Sequence, residues 1–168
     1  TTVDPDVDVG LYTSISVDSS GKPRISYYNY LYGYSHLKYA TYETSWSTQT
    51  IDPYGFAGYY ASMVLDSSDY PHISYYDGYP NFNLKYASWN GNSWDIQIVD
   101  SNENIGQYTS LALDSLKNPH ISYYDEKKKN LKYSKWNGSS WITVIADPNV
   151  DVGLYTSLKI DSSDTPQI

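Results

Sequence analysis

The chain has 168 residues, 21 of them tyrosine and none cysteine, and a net charge of −8. That length allows one ordinary domain with a sizeable core. The acidic balance, with Arg24 as the one arginine, argues against a nucleic-acid partner; the absence of cysteine excludes disulfides and thiolate metal sites; and no apolar window of about 18 residues exists to insert in a membrane.

Read in order, the chain repeats itself. The tract Asp4–Ser14 returns at Asp147–Ser157 with one change, Asp6 to Asn149. Gly10, Gly58, Gly106 and Gly153 are spaced by 48, 48 and 47 residues, and so are Pro23, Pro71, Pro119 and Pro166. A fixed period of this length marks a repeat architecture. Each unit predicts four short strands. In the third unit these are Tyr108–Asp114, His120–Asp125, Asn130–Trp136 and Trp141–Asp147. The turn Ser115–Pro119 joins the first two, and Asn137-Gly138 gives a hairpin signal before the last. Four antiparallel strands per unit of 40–50 residues is the pattern of a β-propeller blade. The expected fold is therefore all-β: blades at about 8–52, 56–100 and 104–147, with a partial blade at 151–168. Such an arc leaves flat faces and edges open. The expected partner is a second copy, or the rest of a longer chain, completing the propeller.

The tracts Tyr108–Ser115, Asn118–Asp125 and Asn130–Trp141, with their counterparts in the other units, resemble the tandem blades of bacterial and archaeal extracellular or cell-surface propeller proteins. More distantly the repeat is similar to sialidase-like propellers with Asp-box turns and to tachylectin-like lectins. Ser16-Val17-Asp18 fits the start of an Asp box, but Gly21 comes one residue late and no Trp follows. The resemblance implies an extracellular or cell-surface location.

A four-stranded meander places its 1–2 and 3–4 loops on one face and its 2–3 and 4–1 loops on the other. The first set is nearly uniform between units. The second diverges, as in Asn29–His36, Asp77–Asn83 and Asp125–Asn130. Binding residues concentrate on loops held by a rigid scaffold, so the candidate ligand residues are Tyr30, Tyr32, Tyr34, Tyr54, Phe56, Tyr79 and Phe82. These aromatics suit a sugar face or a protein partner. The repeated Tyr27, Tyr75 and Tyr123, with Tyr28, Tyr76 and Tyr124, are expected to pack between blades. Lys38, Lys85 and Lys132 are expected to contact the repeated Asn29, Asp77 or Asp125. Lys127-Lys128-Lys129 reads as a solvated loop tip.

Asp4, Asp6 and Asp8, and likewise Asp147, Asn149 and Asp151, alternate oxygen side chains before a glycine, a pattern that can wrap calcium or simply favour a turn. No other cofactor is implied. His36, His72 and His120 share no metal-ligand spacing, and no catalytic constellation stands outside the repeat. The expected function is a non-enzymatic binding module for glycan or surface protein. The alternatives are a structural subunit of a surface layer or filament, and a fragment of a sialidase-like glycoside hydrolase.

Overall fold

The structure is a computed structural model that describes residues 1–31, 33–102 and 104–168. It is all-β, with no helix among these residues. Three four-stranded antiparallel sheets follow one another as meanders, with neighbours in chain order. The first holds β1 (Val9–Val17), β2 (Pro23–Leu31), β3 (Tyr34–Tyr42) and β4 (Trp46–Asp52). The second holds β5 (Tyr59–Leu65), β6 (Pro71–Asp77), β7 (Asn83–Trp89) and β8 (Trp94–Asp100). The third holds β9 (Ile105–Leu113), β10 (Pro119–Asp125), β11 (Asn130–Trp136) and β12 (Trp141–Asp147). A two-stranded piece, β13 (Lys159–Ile160) and β14 (Pro166–Gln167), begins a fourth. The molecule is an incomplete β-propeller of three blades and part of another.

The first strands of the blades pack against one another, β1 on β5, β5 on β9 and β9 on β13, and so form the inner edge. Serines tie them. Ser14 Oγ accepts from the Met63 amide at 3.0 Å, Ser62 Oγ from Leu111 at 3.1 Å and Ser110 Oγ from Leu158 at 2.9 Å. Each first strand is bulged near its start. There Tyr12, Tyr60, Tyr108 and Tyr155 take φ values of 51°, 54°, 54° and 53°, a region that bulky residues rarely enter. Their rings stack in one arc, with centroids 4.7, 4.4 and 4.5 Å apart.

The core lies between blades, because neither face of one sheet is covered without a neighbour. Leu37, Ile51, Ala57, Met63, Ile73 and Tyr75 form one apolar cluster between the first and second blades. Leu84, Val99, Ile105, Leu111, Ile121 and Tyr123 form its equivalent between the second and third. The repeated glycine is the point of closest approach. A Cβ on Gly106, at φ +103°, would stand 2.7 Å from Leu84 Cα, whereas one on Gly10 would meet nothing within 4 Å.

Polar side chains cross the same interfaces. Tyr27 donates to Asp4 at 2.6 Å, and Tyr75 to Asp52 and Tyr123 to Asp100 at 2.8 Å each. Each of these aspartates also holds the repeated lysine of that blade: Lys38, Lys85 and Lys132 respectively. Tyr75 and Tyr123 thus lie between blades as the repeat suggests, whereas Tyr27 faces the open flank of the first blade. The lysines depart from expectation: Lys85 reaches Asp77 at 2.8 Å, but among the described residues Lys38 and Lys132 form no ion pair or hydrogen bond with Asn29 or Asp125, and the partner common to all three is the carboxylate that ends the preceding strand or loop.

Candidate functional site

Two equivalent clefts open between blades on the face of the uniform 1–2 and 3–4 loops. The first, about 240 Å³, is framed by Tyr39 and Gln49 of one blade and Trp89 and Trp94 of the next, with Arg24 and Asp69 beside them. The second, also about 240 Å³, is framed by Tyr86, Gln97, Trp136 and Trp141, with Lys117 and Asn118 in place of Asp69 and Tyr70. The hairpin of strands 3 and 4 sets each indole pair, because the Asn-Gly turn brings the end of one strand beside the start of the next. Trp89 and Trp94 stand 5.6 Å apart at 61°, and Trp136 and Trp141 5.6 Å apart at 63°. Trp94 meets Tyr39 edge-on at 5.5 Å, and Trp141 meets Tyr86 at 5.3 Å.

The polar groups of the clefts differ. Arg24 is pinned by Asp18 at 2.6 Å and by Glu43 at 2.8 Å. At its position in the next blades stand His72, hydrogen-bonded to Tyr86, and His120, 2.5 Å from Tyr133. Burial holds both histidines below the usual imidazole range, against the opposing pull of Asp66 and Asp114. Burial also lifts the Tyr39 phenol to about 12. Trp141 Nε1 donates to Gln97 at 3.0 Å. Its counterpart Trp94 Nε1 is buried with no hydrogen-bond partner among the described residues.

The opposite face carries the aromatics singled out from the sequence. Tyr34, Phe56, Tyr79 and Phe82 come together as a chain of rings, with centroid spacings of 6.1, 6.4 and 6.0 Å. Tyr54 is exposed on the loop that holds Phe56, Tyr30 is exposed within β2 rather than on a loop, because pairing of β2 with β3 runs on to Leu31 and Tyr34, and Tyr32 lies outside the described residues. Invariant backbone bonds lace these variable loops. Ala57 N donates to Ser35 O and Ile105 N to Phe82 O, each at 3.1 Å, while Tyr30 N donates to Asp8 O at 3.0 Å and Gly78 N to Phe56 O at 2.9 Å.

Asp4 and Asp6 both turn to Lys38, at 2.5 and 2.9 Å. Asp147 accepts from the Asn149 amide and side chain. Asp8 and Asp151 sit at φ 53° and 59°, a conformation that Asp tolerates in turns. The Asp18 turn follows the same local logic: its carboxylate accepts from Ser20 N and Lys22 N.

The clefts escaped sequence reading for a physical reason. Their walls come from neighbouring blades, so Tyr39 and Trp94 lie far apart in the chain, and the aromatic wall residues recur with the repeat and read as packing. The signal that could have found them is the Trp-x-x-x-x-Trp spacing of Trp89–Trp94 and Trp136–Trp141, which places two rings at a loop end and leaves their faces without a local partner.

No protein-family model matches the chain, and no curated protein matches it. Solved structures do. A fucose lectin from Kordia zhangzhouensis in complex with methyl-fucoside is 20% identical over 80% of this chain and 99% of that chain, with a TM-score of 0.56. AofleA from Arthrobotrys oligospora is 14% identical over 82% of this chain and 44% of that one, with a TM-score of 0.58. A polysaccharide lyase, an ulvan lyase, is 13% identical over 79% and 42%, with a TM-score of 0.56. The chain spans nearly all of the first and less than half of the other two. At these identities the likeness shows the fold.

Proposed function

We propose that the chain is a non-enzymatic, extracellular or cell-surface β-propeller module that binds carbohydrate, with neutral sugars held in the two inter-blade clefts. The observation that carries this reading is that one cleft is built twice from the same aromatic parts. Each offers two indoles, a tyrosine and a glutamine at a size suited to one sugar ring. Aromatic rings with polar side chains set beside them suit a sugar, which has both apolar ring faces and hydroxyls. The fucose lectin among the similar structures supports the same class of ligand.

A second surface is supported by the chain Tyr34–Phe56–Tyr79–Phe82. With Tyr30 and Tyr54 it suits glycan or a protein partner, and it carries the same reading to the variable-loop face. The lyase among the similar structures keeps catalysis as the competing reading, with a His–Tyr pair as its candidate. Those pairs are buried and repeat with the blade, which supports a structural role. Open blade flanks support the remaining alternative, a subunit that assembles into a surface layer or filament.

A glycan array probed with the purified chain tests the reading, with Trp89→Ala and Trp136→Ala as paired variants and electron micrographs of the same sample. Discrete particles with glycan hits lost in the double variant are expected. Ordered polymers with no hits would transfer the chain to the structural alternative. Release of unsaturated uronate from an acidic polysaccharide would make it a lyase.

A further inference from the structure

The repeated lysine of each blade carries a charge largely withdrawn from water, and such a charge is held by paired acceptors. Lys38 Nζ has two carboxylates, Asp4 at 2.5 Å and Asp6 at 2.9 Å. Lys85 Nζ has two, Asp52 at 3.0 Å and Asp77 at 2.8 Å. Lys132 is 9% exposed and has one carboxylate partner among the described residues, Asp100 at 2.6 Å. Two changes leave the second place open among the described residues. Asn102 stands where the first blade has Asp6, and its side-chain amide donates to Asp100 at 2.7 Å. Asp125 stands where the second blade has Asp77, and its Oδ1 accepts from the Lys128 amide at 2.8 Å.

At this place is a cavity of about 510 Å³, lined by Ser101, Asn102, Asp125, Lys127, Lys128 and Lys132. It lies on the variable-loop face, away from the inter-blade clefts. Ile145 at its wall is 54% exposed, matching Ile98 of the second blade at 56%. The second blade has both neighbours in place, so the cavity does not result from the unfinished flank.

We propose that this cavity binds a sugar bearing a carboxylate or sulfate group, whose anionic oxygen takes the second acceptor position on Lys132 while Lys128 faces it from the rim. An ammonium has three donors, and a charge-assisted bond to an anion is about twice as strong as a neutral one. On a chain of net charge −8, long-range attraction does not draw anions in, so the selectivity is local to this blade. The inference rests on the carbohydrate reading only for the sugar that carries the anion, and it uses none of the cleft residues.

The test is titration of isotope-labelled chain with sodium glucuronate, glucose 6-sulfate, glucose and inorganic sulfate, followed by amide shifts. The first two should give saturable shifts at residues 101–102 and 127–128, and glucose none. Asn102→Asp restores the acidic pair of the first blade, Asp4 with Asp6, and should weaken both acidic sugars at least about tenfold with an unchanged melting temperature. Equal response to glucose, no response to either acidic sugar, or an Asn102→Asp variant that binds as tightly as the native chain would overturn the assignment. Inorganic sulfate binding as tightly as glucuronate would overturn its sugar part. Loss of acidic-sugar binding with neutral glycans still held in the clefts leaves the proposed function standing. The reverse result removes the cleft reading alone.

Discussion

Asp100 joins two blades through one side chain. Burial alone would raise its carboxyl, but the bonds from Lys132 and Tyr123 outweigh this and hold it below the usual carboxylate range. Asp100→Asn leaves a buried ammonium without its anion and should cost about 3 kcal/mol in urea unfolding. Asp147→Asn, at the same repeat position but with Asn149 as its one side-chain partner among the described residues, should stay within about 0.5 kcal/mol. The sign of the pH dependence follows from the same groups. His72 and His120 fall below the ordinary 6.5, so the unfolded chain binds more protons and stability falls as pH drops through 6.5. Asp4 and Asp100 lie below 3.8; their contribution is present above that value and lost as pH falls through their folded values. Melting temperature should therefore decline in two stages on acidification. A His72→Gln, His120→Gln double variant should flatten the upper stage and keep the lower.

At the scale of the element, the recurring glycine measures how closely a blade is approached. Gly106→Ala drives a Cβ into the Leu84 backbone at 2.7 Å and should cost about 3 kcal/mol or more. Gly10→Ala has a similar φ and no neighbour within 4 Å, so backbone strain alone applies, about 1 kcal/mol. Equal costs for the two in chemical denaturation would mean that another blade covers the first in solution. The strands themselves were legible in the sequence: a period of two, proline before isoleucine, and Asn-Gly at the hairpins each act within a few residues. The bulges at Tyr12, Tyr60 and Tyr108 were not. Nothing local asks a tyrosine to take positive φ; stacking against the same tyrosine of the next blade does. The lysine–aspartate links were hidden for the same reason, since Asp100 precedes the blade whose Lys132 it holds.

Across the whole molecule, the first blade presents an unpartnered flank. Leu11, Ile15 and Val17 are 60%, 63% and 61% exposed, and a cavity of about 200 Å³ between Val3, Val9, Gly10, Ile25 and Tyr27 lies where Leu37 and Leu84 fill the later interfaces. A flank of this kind favours association. Sedimentation should show self-association that Ile15→Lys and Val17→Lys suppress; a monodisperse monomer would contradict it. The measurement that bears most directly on the proposed activity is calorimetric titration of a neutral glycan identified by array. Two sites per chain are expected, one for each indole-lined cleft, falling to one with Trp94→Ala. Heat that fits no site, or a stoichiometry that Trp94→Ala and Trp141→Ala both leave intact, would contradict a carbohydrate-binding role for the spaces between blades.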